Sequence, residues 1–195
     1  MATRTGERKL QILQTLAEML QDPKGERITT AALAARLHVS EAALYRHFAS
    51  KAQMFEGLIE FTETTVFGLI NKIQVDEPNA IKQVHSILSV LLSFAEKNPG
   101  MTRVLIGDAL VNEDDRLQAR INQLQDRLET TIKQSLRIAR TEGGAEVAPA
   151  EADEIAARAN ALLCYVVGRW HQFAKSGFKR RPTENWDRQW PFLIG

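Results

Sequence analysis

At 195 residues, with 44% hydrophobic and 25% charged side chains, the chain has the composition of an ordinary globular protein and the length for one helical core. Met1 to Lys9 is polar and basic, so it is not expected to be the apolar core of a signal peptide, and no apolar run reaches the roughly 18 residues of a membrane span. One cysteine, Cys164, excludes an internal disulfide and fits a reducing compartment, so a soluble cytoplasmic protein is expected.

The net charge of +1 hides an asymmetry: residues 1–55 hold 8 Lys/Arg against 5 Asp/Glu, while the remainder holds 17 against 19. A basic head on a slightly acidic body directs only the head toward phosphates. Apolar spacing is helical almost throughout. Leu10, Leu13, Leu16, Ala17 and Leu20 mark one face of a first helix, stopped by Asp22, Pro23, Lys24 and Gly25. Short helices are predicted at about 30–37 and 41–48. Ser50 with Gln53 then matches a capping box that opens a long helix carrying Phe55, Leu58, Ile59, Thr62, Val66, Leu69, Ile70 and Ile73.

Asp76, Glu77 and Pro78 end that helix, and another runs from about Asn79 to Lys97. After the break at Asn98, Pro99 and Gly100, a helix is predicted at about 101–111. The acids Glu113, Asp114 and Asp115 sit where the positive end of the next helix dipole falls. That helix shows the clearest ladder: Leu117, Ile121, Leu124, Leu128, Ile132 and Leu136. Thr141 to Pro149 is expected to be a mobile loop, Ala150 to Lys175 a helix, and a Trp-containing tail closes the chain. The expectation is an all-α protein, with a three-helix head at 1–51 and a helical bundle at 52–195.

Ile28 to Phe48 carries the functional reading. Leu33, Leu37, Val39, Leu44 and Phe48 are spaced to pack two short helices as a helix-turn-helix, with Ser40 to Phe48 as the recognition helix. Ser40 is a good N-cap and leaves the first turn behind it free to face a ligand. With Leu44 and Phe48 inward, Ala42, Ala43 and Arg46 turn outward and Tyr45 and His47 flank them. Small residues at 42 and 43 suit a major groove roughly 12 Å wide. Arg46 is expected at a base edge or phosphate, and Tyr45 and His47 at phosphates on the rim. Thr29 and Thr30 join hydroxyls to free backbone N–H groups, which suits a phosphate oxygen. Lys51 stands in the first turn of the long helix, where a cation opposes the dipole, so a phosphate partner is expected there too.

The run Leu44-Tyr45-Arg46-His47-Phe48-Ala49-Ser50-Lys51 resembles the end of the recognition helix in TetR-type regulators, often written LYxHFxxK. The resemblance implies an all-helical homodimer with an N-terminal DNA-binding head. Across Arg27 to Ala31, Val39 to Phe48, Leu58 to Phe61, Asn98 to Gly100, Asp115 to Gln118, Arg120 to Leu124, Phe178-Lys179, Arg181 to Thr183 and Trp190-Pro191, the chain resembles the nucleoid-occlusion branch of that family. That branch implies a dimer on palindromic double-stranded DNA, associated with the nucleoid, that antagonises the tubulin-like division protein FtsZ. It also implies that the FtsZ C-terminal tail docks between the fourth and fifth helices, near Phe61, Val90, Lys97 and Asn98. Phe61 lies off the centre of its helix's apolar stripe, as a partner-binding aromatic would; as bundle core, it and Val90 would be buried instead. Leu69 and Lys97 stand where the branch pattern has arginines, so tail contacts are expected to be weaker or re-routed through Lys72, and Ala49 replaces a frequent Pro.

The alternative within the family is a repressor gated by a small ligand in the bundle, which needs a cavity with a few convergent polar groups. The helix 79–97 offers mainly Ile, Val, Leu and Phe, more like a filled core. An enzyme is not expected. His38, His47, His85 and His171 show no metal-ligand spacing, no Gly-rich phosphate loop follows a strand, and no cofactor is implied. Cys164, among Leu162, Leu163, Val166 and Val167, is expected to be buried. The dimer is expected to form through the helices at 117–139 and 154–175, whose apolar residues Val166, Val167, Trp170 and Phe173 exceed what one protomer needs.

Overall fold

The structure, a computed structural model, describes residues 2–22, 28–141 and 148–195. Pro23 to Arg27, and most of the loop at 141–149, lie outside them, and with them the expected first-helix stop and the expected mobility. The helices are α1 (Ala2–Met19), α2 (Thr30–Arg36), α3 (Glu41–Tyr45), α4 (Lys51–Asp76), α5 (Ala80–Lys97), α6 (Pro99–Leu105), α7 (Asp115–Thr141), α8 (Pro149–Lys175) and α9 (Trp186–Ile194), with a 3₁₀ turn at Asp108–Leu110. The described residues hold no strand, and no helix among them is long and apolar enough to cross a membrane.

Side-chain caps set the helix starts. Thr29 accepts from Ala32 N, Ser40 from Ala43 N, Ser50 from Gln53 N and Asn79 from Lys82 N. Two elements are shorter than predicted. The recognition helix ends at Tyr45, so Arg46 is its C-cap and His47 and Phe48 lie in the following turn. The 101–111 helix is instead α6, begun by Pro99 at its first turn, and the separate 3₁₀ turn.

Between α2 and α3 the chain reverses through a Schellman motif. Val39 N donates to Ala34 O at 3.0 Å and His38 N to Ala35 O at 3.1 Å, with His38 at φ 55°. A non-glycine residue is strained there, and such turns often hold glycine. His38→Gly is therefore expected to raise stability by about 0.5–1 kcal/mol, read as a higher urea midpoint at unchanged m-value.

On α1 the buried residues are Ile12, Leu16 and Leu20, while Leu10 is 49% exposed. The expected stripe is thus turned by part of a helical step, because α1 packs on both α4 and α6. The first turns of α4 complete the core of the head: Gly57 lies against Leu13 and Phe48. Behind them α4, α5, α7 and α8 form the bundle. The α7 ladder from Leu117 to Leu136 is buried throughout, and Trp170 Nε1 donates to the Leu91 carbonyl at 3.1 Å from inside the core. Trp186 of α9 closes one side, donating to Ser89 Oγ at 2.7 Å.

Val166, Trp170 and Phe173 are buried within one protomer and Val167 is half-buried, so they are not surplus apolar surface. The outward side of α8 carries Ala157, Ala161, Cys164 and Gly168 instead. Cys164 is accordingly exposed rather than buried, because its inward neighbours Leu162, Leu163 and Val166 take the core positions.

Candidate functional site

The head presents the outward side of α3 as Glu41, Ala42, Tyr45 and Arg46, all exposed, while Leu44 and Phe48 anchor it from beneath. Ala43 and His47 are half-exposed on the flank. Ser40 and Thr29 each accept a backbone N–H as caps, which leaves each hydroxyl hydrogen able to donate to a phosphate oxygen. Among the described residues the buried Nδ1 atom of His47 has no hydrogen-bond partner, so this imidazole can reach a phosphate only through Nε2.

Two expected anchors are engaged inside the protein. Thr30 Oγ1 donates to Glu41 Oε2 at 2.6 Å, and the Tyr45 hydroxyl donates to Thr30 Oγ1 at 3.5 Å. Thr30 therefore spends its only hydroxyl hydrogen on a carboxylate, not on a phosphate. Lys51 is expected at a phosphate because a cation at a helix start needs an anion. The structure supplies one sixty-two residues away: Lys51 Nζ meets Glu113 Oε1 at 2.5 Å, with its ammonium over the Phe55 ring. Both side chains are largely buried, so this pair joins the long helix to the loop before α7.

It follows that Arg46→Ala is expected to weaken DNA binding and lower the salt slope by about one unit, while Lys51→Ala leaves the slope unchanged and lowers stability. Titrations of duplex DNA at several salt concentrations, beside thermal melts, separate the two.

Behind the head, Phe61 is 48% exposed on α4. It and Asn98 line one surface cavity of about 450 Å³, together with Leu10, Leu13 and Ala17 of α1 and Met101 of α6. Val90 is half-buried on α5 and Lys97 is exposed at its end; neither lines this cavity. The cavity lies where α1, α4 and the start of α6 meet, not between α4 and α5 alone. Asn98 is fixed by donating Nδ2 to the Phe94 carbonyl at 2.8 Å.

Spacing does not reveal the joint that shapes this cavity. Gly100 lies so close to α1 that a Cβ there would stand 2.0 Å from the Ala17 carbonyl oxygen. Arg103, 9% exposed, donates Nη1 to the Leu20 and Asp22 carbonyls and Nε to Asp108 Oδ2 at 3.0 Å. Asp108 also receives Lys175 from the end of α8. Among the described residues no group of His, Cys, Asp and Glu is placed to hold a metal.

The family model "Bacterial regulatory proteins, tetR family" matches residues 12–58, and "Tetracyclin repressor-like, C-terminal domain" of the SlmA-like type matches residues 79–195. The nucleoid occlusion factor SlmA of Alteromonas mediterranea is 53% identical over 97% of this chain and 95% of its own length. The SlmA of Idiomarina loihiensis is also 53% identical, over 99% and 96%. The chain belongs to the SlmA nucleoid occlusion factors of the TetR family. The TetR-family transcriptional regulator PfmR of Thermus thermophilus shares the fold at a TM-score of 0.74 and 18% identity, over 94% of this chain and 96% of that one. This SlmA-family chain is thus an all-α DNA-binding regulator and not an enzyme.

Proposed function

We propose that the chain dimerises through α7 and α8 on palindromic DNA, stays with the nucleoid, and from there antagonises FtsZ assembly by capturing the FtsZ C-terminal tail. In this reading the head at 1–51 binds DNA and the bundle at 52–195 dimerises and, with α1, meets the partner. Thr29, Ser40, Arg46 and His47 contact DNA, Tyr45 lays its ring against the DNA backbone while its hydroxyl stays on Thr30, and Ala42 and Ala43 face the groove floor. Phe61 is the aromatic anchor for the tail, Asn98 a polar contact beside it, and Val90 and Lys97 the margin toward α5.

The observation that carries the reading is the half-exposed Phe61 on a cavity of about 450 Å³ whose other wall is helix α1 of the DNA-binding head. An exposed aromatic beside a concave apolar surface is the usual form of a binding hot spot. Its place at the head–body joint puts the tail within reach of whatever DNA does to the head.

A ligand-responsive repressor fits less well. Buried polar side chains of the bundle are engaged by the protein itself: Gln83 Nε2 donates to the Glu77 carbonyl at 2.7 Å, Ser135 Oγ to Gln83 Oε1 at 3.3 Å, and Thr62 Oγ1 to the Leu58 carbonyl at 3.0 Å. The inward residues of α5, from Val84 to Leu92, are apolar and at most 1% exposed where they face the core.

The test is a titration of a labelled FtsZ C-terminal tail peptide against the chain on a palindromic duplex. Saturable binding that Phe61→Ala weakens by about 30-fold, as loss of a hot-spot aromatic does, is the expected result. DNA binding without any response to the peptide overturns the reading.

A further inference from the structure

We infer that Glu41 is a specificity-determining residue of the head, its carboxylate accepting a hydrogen bond from the N4 amino group of one cytosine in each half-site. The inference rests on the docking proposed above, with α3 in the major groove. Glu41 is the first residue of α3 and is exposed beside Ala42, Tyr45 and Arg46. Its Oε2 takes the Thr30 hydroxyl at 2.6 Å, and Tyr45, one turn along the same side of the helix, completes the chain by donating to Thr30 at 3.5 Å. Among the described residues Oε1 has no hydrogen-bond partner.

A carboxylate here is costly in a DNA reader. It repels every nearby phosphate and has no proton to offer one. The donors that a major groove presents to it are the amino groups of cytosine N4 and adenine N6. Adenine places the acceptor N7 beside its amino group, which repels the second carboxylate oxygen; cytosine has a C–H on that side. The Thr30 hydroxyl holds the carboxylate in one orientation before DNA arrives, so little rotamer freedom is lost on binding. Small side chains at Ala42 and Ala43 let this end of α3 approach the bases.

Glu41 also lies in the first turn of α3, where an acid favours the helix, and its bond to Thr30 ties α2 to α3. Glu41→Gln separates these roles, because the amide oxygen still accepts from Thr30 while the charge and the cytosine preference go.

The experiment selects duplexes from a randomised double-stranded pool with the full chain, Glu41→Gln and Glu41→Ala, then titrates the wild-type-selected duplex. Each selected C·G pair is replaced by T·A in turn, symmetrically in both half-sites. One replacement is expected to weaken the wild type by about 5- to 150-fold, the range of a single good base contact. At that position alone, Glu41→Ala becomes indifferent and Glu41→Gln shifts toward adenine. Both variants gain affinity for scrambled DNA as a phosphate repulsion is removed. Melting curves confirm the fold, and Glu41→Gln decides the matter should Glu41→Ala unfold. Unchanged base preference at every position in Glu41→Gln overturns the inference and leaves Glu41 a helix-start residue. A wild type that enriches no sequence overturns the docking of α3 itself, and the inference with it.

Discussion

Gly100→Ala is expected to cost about 3 kcal/mol or more, at the upper end of overpacking penalties. The added Cβ would stand 2.0 Å from Ala17 O and 3.1 Å from Leu20 Cβ. The first of these is a backbone atom inside α1, so no side-chain rotation relieves the clash; α1 and α6 must part. For a chain of this size the loss corresponds to a melting temperature lower by about 6–12 °C. The same displacement moves α1 against α4, and α1 belongs both to the head and to the wall of the Phe61 cavity. DNA affinity and tail-peptide affinity should therefore fall together in Gly100→Ala, by more than thermal destabilisation alone accounts for well below the melting range. A variant with wild-type melting and wild-type binding would show that the joint is not tight.

Arg103→Met is the second large effect, expected at about 3 kcal/mol, because it removes three hydrogen bonds made by a charged donor and leaves Asp108 with Lys175 alone. The last carbonyls of a helix have no partners of their own. Arg103 supplies donors to the Leu20 and Asp22 carbonyls in the turn that follows α1, and offers its third donor to Asp108. Methionine fills much of the volume and none of these bonds. Lysine is not a substitute, since one ammonium cannot span both carbonyls and the carboxylate in the guanidinium's fork geometry.

This network also carries a pH signature. Burial by itself would raise the Asp108 carboxyl, but the hydrogen bonds and charges of Lys175 and Arg103 outweigh it and hold the group below its ordinary 3.8. A carboxyl held low in the folded state contributes stability above its unfolded value and loses it as the pH falls through the folded one. The stability difference between the wild type and Asp108→Asn should be full at neutral pH and shrink below about pH 4. Denaturant titrations across that range measure it.

Local physics made much of this fold readable. Ser40, Ser50 and Asn79 cap where short polar residues before apolar runs are expected to cap, and Pro78 and Pro99 mark the breaks around α5. The Leu117 to Leu136 ladder is buried because a period of three to four leaves one face of a helix no other choice. The misses share a cause, contact between residues distant in the chain. Spacing shows that Lys51 needs an anion but not that Glu113 provides it, and nothing near Thr30 announces that Glu41 accepts its hydrogen bond. Cys164 sits among apolar neighbours, yet which side of α8 is inward depends on where α7 and α5 lie. Gly100 reads as part of a turn, and nothing singles out Arg103, until α1 is packed against them. In the cavity, Phe61 is visible from spacing as an aromatic off its stripe, whereas the contribution of Leu10, Leu13 and Ala17 needs the head and body to be seen together.

The most direct test of the account is the assembly of purified FtsZ, followed by light scattering, with the chain alone, a palindromic duplex alone, and both together. The DNA-bound chain is expected to suppress assembly well beyond either component, and Phe61→Ala to need about 30-fold more protein for the same effect while still binding the duplex. Full assembly in the presence of the DNA-bound wild-type chain would contradict it.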